Sequence, residues 1–561
     1  MPTPATIGVV PPAALRQRPR LFSALEALFE ARFEEREAGQ EAGLDAALVF
    51  GGPPAAEEAR VPVLRYALSD ERPPAAPESV VTFGRADSVD VRLRGRELSE
   101  GGLGTIRARL DGGEPLAWDR AGPVWASDRP DAETALVAPR ELGHDEPLRD
   151  RLSAGRFLEL APLVHLLRRA TGYDGWRRPP SRAAFVFDDP NLHWRSYGYI
   201  RFAELARNAR EHGYHAAMAI IPLDCWYAHP SAARHFRPGE PLSLTMHGND
   251  HVFHELGLRV EVPDAVPLFE QAVRRVSGLE RRAPLHVDRV MVPPHEVCSD
   301  EMMESMLQPG IEAVCRAPVW WREWSPERIR TARWTMSEMS PSGAPVLGRH
   351  KVADPRSRDE VLLNVFLDQP AILYGHHVDV ADGYGLLEEA AARLNAVEGL
   401  TWASLGSIAR SNSSTRTDGD VLRVRLFSRA GAVDVEPGTR AIRVELPFYE
   451  RYESDLLVSG GRAFEIASED GAVCATIPVD DGVTCVEMRL VRREEGPASE
   501  ERRRLAPRAV ARRASRELRD RAHPLLRRLG LESSLRRLEA AYVGRMTARE
   551  RAGKPRGGDG R

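Results

Sequence analysis

Cysteine is scarce in this chain: Cys225, Cys298, Cys315, Cys474 and Cys485 are the only ones in 561 residues. An odd, sparse set argues against a disulfide framework and suits a reducing compartment. Cys474 and Cys485 fall in neighbouring predicted strands, where two core thiols are expected. Lysine is scarcer still, with only Lys351 and Lys554, so arginine supplies the positive charge. That skew reflects coding bias, because few functions would exclude lysine everywhere. No apolar run reaches the length that a bilayer-spanning helix needs. Met1 to Leu21 lack the basic start and apolar core of a secretory signal, so the expected location is cytoplasmic. A phosphate-binding glycine loop is missing as well. Gly101-Gly102-Leu103-Gly104 is too short, lacks a strand–helix context and reads as a plain loop.

What is present is an ordinary globular composition, 42% hydrophobic and 29% charged, in a length that suits three or four domains. Net charge is only −4 but unevenly placed. The stretch from Arg502 to Arg561 carries roughly 19 basic against about 6 acidic residues, leaving the remainder acidic. Apolar spacing predicts a helix over Leu21 to Glu37. Short β-like runs follow (Ala47–Phe50, Val61–Ala67, Val80–Phe83, Val89–Leu93, Thr134–Val137), making residues 1–150 a small α/β domain of unassigned role. A helix over Leu148 to Ala170 and a Trp176-Arg177-Arg178-Pro179-Pro180 linker occupy 151–180. From 181 to 412 strands alternate with helices. The strands are Ala183–Phe187, Ala216–Ile221, Leu242–Met246, Val287–Val292, Ala313–Cys315, Ala371–Tyr374 and Leu400–Ala403. Such alternation predicts a parallel sheet, and about seven strands suit a closed or nearly closed β/α barrel. Residues 417–497 change to closely spaced strands without helices, a β-sandwich pattern. Residues 498–561 form an Arg-rich helical tail, broken at His523-Pro524 and ending in a disordered Gly553–Arg561.

Two of the barrel strands end in chemistry. Ala183 to Phe187 runs into Asp188-Asp189, and Leu242 to Met246 runs into His247-Gly248-Asn249-Asp250-His251. Acids and imidazoles at the carboxyl ends of buried strands are where a β/α barrel keeps its active site. One Asp with two His is an oxygen/nitrogen ligand set for a divalent metal such as zinc, with a position left open for water. Adjacent strand residues face opposite ways, so one acid meets the metal and the other flanks it; spacing alone leaves open which. His247 and His251 converge if the chain turns helical after Met246, since i and i+4 share a face. A metal ion acidifies water and polarises an acyl oxygen, a carboxylate takes the proton, and an imidazole returns one to the leaving group. Asp188 is the expected base and either His376 or His377 the expected acid. His254 reads as a solvent-facing helix histidine rather than a replacement ligand.

These residues resemble the polysaccharide deacetylases, or NodB-homology carbohydrate esterases. The family's Thr-Phe-Asp-Asp-Gly motif is similar to Val186-Phe187-Asp188-Asp189-Pro190, and its His-Ser/Thr-x-x-His motif to His247-Gly248-Asn249-Asp250-His251. A third, Arg-x-Pro-Tyr/Phe, looks like Val292-Pro293-Pro294-His295, and a last, Leu-x-His, like Tyr374-Gly375-His376. The resemblance spans about residues 180–410. It implies a distorted (β/α)7 barrel in which Asp189, His247 and His251 hold a divalent metal and Asp188 is the general base. Pro190 replaces the family's glycine, Val292 its arginine and His295 its aromatic. The arginine orients the base, so its support is expected from elsewhere, for instance Arg195 or Arg316.

Four further residues are candidates for the substrate or oxyanion. Asn191, His193 and Trp194 follow the acid pair and could line a sugar site or form a structural loop. His295 follows a strand end where backbone N–H groups could meet an oxyanion. Trp320, Trp321 and Trp324 are expected in packing or an interface. The basic tail lacks interleaved aromatics and any nucleic-acid-binding module, which argues against nucleic acid. Its Leu525, Leu526, Leu529, Leu531, Leu535 and Leu538 suggest a basic amphipathic helix for a protein partner or a membrane surface, or a solvated extension. The functional expectation is a metal-dependent hydrolase acting on an acylated sugar, glycan or glycoconjugate precursor. Its rivals are a catalytically silent carbohydrate-binding or scaffold barrel and a metal-free glycosidase with paired carboxylates.

Overall fold

In a computed structural model, residues 4–40, 42–51, 61–68, 78–101, 110, 113–252, 254–318, 324–469, 471–493 and 507–529 are described. Gly102 to Gly104, Trp320, Trp321, the tail leucines beyond Leu529 and the segment 553–561 lie outside them.

The N-terminal part is one mixed nine-stranded sheet. Five parallel strands run in the order Ala31–Glu35, Ala5–Val10, Ala46–Phe50, Val63–Leu68 and Ala132–Val137. Gly122–Arg129, Glu114–Asp119, Ser79–Phe83 and Glu97–Glu100 continue it antiparallel. The helix expected over Leu21 to Glu37 is shorter, Pro19–Leu28, and Ala31–Glu35 is a strand instead. Phe29 leaves the helix in an extended conformation, after which Ala31 and Phe33 enter the core at period two. The helix expected over Leu148 to Ala170 reduces to a 3-10 turn, Leu148–Arg151, and a helix, Ala161–Ala170. Arg149 and Arg151 are buried in that turn and pair with Glu360 at 3.0 Å and Glu159 at 3.1 Å. Those ion pairs dictate the local path in place of the apolar spacing.

The central sheet has ten strands: β1 (Arg182–Asp188), β2 (Ala216–Ile220), β3 (Leu242–His247), β4 (Val287–Val292), β5 (Ala313–Arg316), β6 (Glu338–Met339), β7 (Pro345–Gly348), β8 (His350–Lys351), β9 (Ala371–Gly375) and β10 (Thr401–Trp402). The order is β6-β7-β5-β4-β3-β2-β1-β9-β8, with β10 also on β1, and every pair is parallel except β6–β7. All seven expected strands are present; β6, β7 and β8 are additional. The hydrogen-bonded ladder is open, and it counts ten strands where about seven in a closed or nearly closed barrel were expected. β7 and β8 are nevertheless one stretch of chain separated only by Arg349, pairing with β5 before it and with β9 after it. The two margins of the sheet are thus joined across a single residue.

Period-two alternation sorts this sheet's side chains. Ala183, Phe185 and Phe187 join the large core shared with the helices and the N-terminal sheet. Ala184 and Val186 join a separate cluster of small residues with Ala217, Ala219, Val290, Val292, Cys315, Leu347 and Ile372. Asp188 continues the row of Ala184 and Val186, and Arg349 continues that of Leu347, so both polar groups follow an apolar inner column to its end.

After residue 412 come a five-stranded and a four-stranded sheet around their own core of Leu422, Val424, Ile442, Val444, Leu457 and Leu490, among others. Cys474 is buried there, but Cys485 is exposed and therefore no core thiol; both are free. Two long helices, α1 (Val262–Arg282) and α2 (Pro507–Arg528), pack beside the central sheet's strand ends. α2 runs through Pro524 without the expected break. No helix among the described residues is long and apolar enough to cross a membrane.

Candidate metal centre

The strand β1 ends at Asp188, and Asp189 turns away with φ of +78°. That turn, rather than simple alternation, brings the second carboxylate into the cluster. β3 ends on His247, and the chain then makes a tight loop instead of the expected helical turn, with Gly248 at φ +61° and His251 at +53°. A Cβ on Gly248 would lie 2.6 Å from the Pro294 ring, so only glycine fits this approach. Glu255 holds the loop by accepting from the backbone N–H groups of Asn249 (3.0 Å), Asp250 (2.8 Å) and His251 (3.1 Å). The result is a buried triad: ligand atoms of Asp189, His247 and His251 lie within 4.8 Å of one another. Asp189 Oδ1 is 3.1 Å from His251 Nε2 and 3.6 Å from His247 Nε2.

The triad fits a divalent cation. His247 Nδ1 donates to the Val292 carbonyl at 2.9 Å, which turns the Nε2 lone pair toward the cluster, the usual outer-shell arrangement of a metal-binding imidazole. Asp189 Oδ1 is buried without a hydrogen-bond partner, although its sister oxygen accepts from Arg516 at 2.7 Å. Burial pushes the Asp189 carboxyl up, but Arg516 and His251 outweigh it and leave it well below the usual range, ionised as a ligand must be. Burial lowers His251, keeping that imidazole neutral, again as a ligand requires.

Beside the triad stands a second carboxylate. Both oxygens of Asp188 accept from Arg349, each at 2.8 Å, in a two-pronged pair whose arginine is only 1% exposed. Burial again raises the acid, and Arg349 followed by His247 brings it below its ordinary value. Arg349 also pairs with Glu296, while Tyr374 stacks on its guanidinium at 4.1 Å. The orienting arginine is therefore neither Arg195, which is exposed, nor Arg316, which donates to the Cys298 carbonyl. Arg349 has a readable signal in the sequence: Pro345-Val346-Leu347-Gly348 is a short apolar run ending in a charge, like the runs that end at Asp188 and His247.

The other expected residues separate. His376 is half-buried and close enough to Asp188 for its charge to favour the carboxylate. His377 is turned away, packed at 5.6 Å from Tyr197, 5.8 Å from Tyr199 and 5.6 Å from His523. Gly198 abuts it so closely that a Cβ there would lie 2.3 Å from its ring. Of the pair, His376 ends the extended segment and lies near Asp188, whereas His377 opens the 3-10 turn His377–Val380. His295, half-exposed with φ +60°, lies 5.4 Å from His251, and burial brings it down to about 4. His254 is exposed on a turn, not on a helix, and outside the triad. Asn191 and His193 are buried: His193 Nε2 meets the Asp224 carbonyl at 2.9 Å, and Asn191 Oδ1 accepts from the His193 N–H. Trp194 is 57% exposed, with Arg521 5.1 Å over its ring. Trp324 packs on Ile329 and Ala332, as expected of a core residue.

The element that sequence reasoning placed elsewhere is α2. It lies across the mouth of this site. Arg516 meets Asp189 Oδ2, Arg513 donates to the Asp189 carbonyl at 2.9 Å and to Asp224 at 2.6 Å, and Arg512 donates to the His251 carbonyl. Tyr197 donates to Asp520 at 2.6 Å, and Glu517 lies 3.5 Å from His193. Its arginines are the partners of buried groups in the central domain.

No family model matches the chain, and no curated protein matches it. Solved structures do. A family 4 carbohydrate esterase from Streptomyces lividans in complex with acetate is 12% identical, covering 41% of this chain and 94% of its own, at TM-score 0.26. The peptidoglycan deacetylase PdaC from Bacillus subtilis is 13% identical over 41% and 91%, at 0.25. A CE4 family pseudoenzyme from Bacillus anthracis is 9% identical over 40% and 68%, at 0.22. These structures are what the chain is similar to over about two fifths of its length, at low identity. The chemistry rests on this chain's own residues.

Proposed function

We propose that this chain is a metal-dependent hydrolase that removes an acyl group, acetyl being the simplest, from an N- or O-acylated sugar, glycan or glycoconjugate precursor. The observation that carries the reading is the convergence of Asp189, His247 and His251 beside an independently held carboxylate, Asp188. A divalent cation such as zinc held by the triad would acidify a water and polarise the acyl oxygen. Asp188 takes the proton of the attacking water. Arg349 keeps both its oxygens aimed and ionised. His376 returns a proton to the departing amine or alcohol. The silent-barrel reading draws on one feature, Arg516 closing Asp189 Oδ2. The glycosidase reading loses support from the acids themselves: both carboxyls are held ionised by arginines, so neither is the protonated partner that chemistry needs.

Metal analysis of the purified protein, combined with acetate release from a panel of acetylated sugars, tests the proposal. Asp189→Ala and His247→Ala should lose metal and acetate release together, whereas Asp188→Asn should keep the metal and lose release. Metal-loaded protein that releases no acyl group from any panel member would favour the silent barrel.

A further inference from the structure

Beside the metal centre runs an open groove of about 650 Å³ between the segment 222–227, α1 and α2. Its volume is that of a small-molecule site. Its chemistry is lopsided. The two acids that line it are already engaged, Asp224 by Arg513 and Glu517 by Arg521. Among the arginines from α1, Arg275 pairs with Asp250 and Arg274 with Glu270. Arg281 and Arg282 are exposed and have no acidic partner among the described residues; Arg282 only donates to the Cys225 carbonyl at 2.6 Å. Trp226 presents an indole that is 65% exposed, backed by Tyr227 at 5.8 Å and His193 at 4.6 Å. The groove adjoins the reaction site, because Arg513 holds Asp224 with one nitrogen and the Asp189 carbonyl with another. Its remaining nitrogen is buried without a partner.

We propose that this groove is a subsite for an anionic part of the substrate, with the Trp226 ring stacking on a sugar face and Arg281 and Arg282 receiving a phosphate or carboxylate. The inference rests on the hydrolase reading and narrows its substrate to a negatively charged acylated saccharide. Aromatic faces suit pyranose rings, and a guanidinium fork suits either anion. Neutral acetylated polymers would gain nothing from the two unpaired cations.

The test is calorimetric titration of the full-length Asp188→Asn protein, which separates binding from turnover. The probes are N-acetylglucosamine 6-phosphate, an N-acetylated uronic acid and neutral N-acetylglucosamine. One or both anions should bind at least about tenfold tighter than the neutral sugar, the charge-assisted bonds supplying the difference. Which anion wins identifies the group. Arg281→Glu combined with Arg282→Glu should abolish that preference and leave the neutral sugar unaffected; Trp226→Ala should weaken all three probes. Arg281 and Arg282 sit on an exposed helix face, and an unchanged thermal midpoint of the double variant verifies the fold. Equal affinity for charged and neutral probes, or a preference that survives the double variant, would overturn the subsite. Loss of the hydrolase reading has a different signature: selective anion binding persists while wild-type protein releases no acyl group.

Discussion

At the level of single residues the site depends on a few groups whose neighbours leave them little freedom. Arg349 is the sharpest case, since it holds Asp188 through two parallel hydrogen bonds in a place water hardly reaches. Arg349→Lys keeps the charge but loses the fork, so acetate release should fall by about tenfold or more with metal content unchanged. Arg349→Met strands a buried carboxylate and should cost about 3–5 kcal/mol in urea unfolding. Gly248 is a second fixed point. Gly248→Ala meets the Pro294 ring in a left-handed conformation, with an expected cost of about 1–3 kcal/mol and weaker metal retention on dialysis. The triad itself was legible from residue type at strand ends. The signal at Arg349 is weaker, because a single charge after a short run is a common event until its partner is known.

At the level of elements, α2 shows what composition conceals. Its arginines read as a solvent-facing or partner-binding stripe, yet Arg513 is 6% exposed and paired with buried Asp224. Periodicity reports which residues share a face, not which surface that face meets. Docking of α2 should respond to pH through His193 and Glu517. Burial opposes a proton on His193, but Glu517 and the Asp224 carbonyl outweigh it and raise its pKa, while Glu517 is brought down to about 2 against its burial by His193 and Arg521. The histidine's contribution is complete below about pH 6.5 and fades as pH rises through its raised folded value; that of the glutamate is complete above about pH 4.5 and fades toward 2. Wild type should therefore exceed Glu517→Gln in thermal midpoint most between those limits, and the gap should narrow above pH 7. A gap independent of pH would rule out this pair as the linkage.

At the level of the whole molecule, the N-terminal sheet region and a C-terminal sheet meet at Trp176, a residue of the expected linker. Its indole N–H reaches Glu30 at 3.4 Å, and Arg416 and Arg425 lie over its ring at 4.9 and 4.2 Å while pairing with the same glutamate at 3.1 and 2.8 Å. Glu30 comes from the N-terminal sheet region and the arginines from the C-terminal strands, so one ring ties these two parts together a few residues before the chain enters the central sheet. Trp176→Ala removes a side chain that is 4% exposed and should cost about 3–5 kcal/mol. Calorimetry should then resolve separate transitions where wild type shows more concerted unfolding. A merely local role would lower the midpoint without splitting it.

The order of strands and helices in the central domain, and the acids and imidazoles that end two of its strands, followed from the chain alone, because buried runs and their abrupt polar ends are local properties. Tertiary contacts decided the rest. Asp189 and His251 reach the cluster only through left-handed turns that their surroundings stabilise. Arg349 joins the site because one stretch of chain pairs with both margins of the sheet, and α2 covers it because buried carboxylates in the central domain need its guanidinium groups. Such partners lie up to hundreds of residues away, and no local pattern encodes a contact whose energy comes from burying two distant charges together.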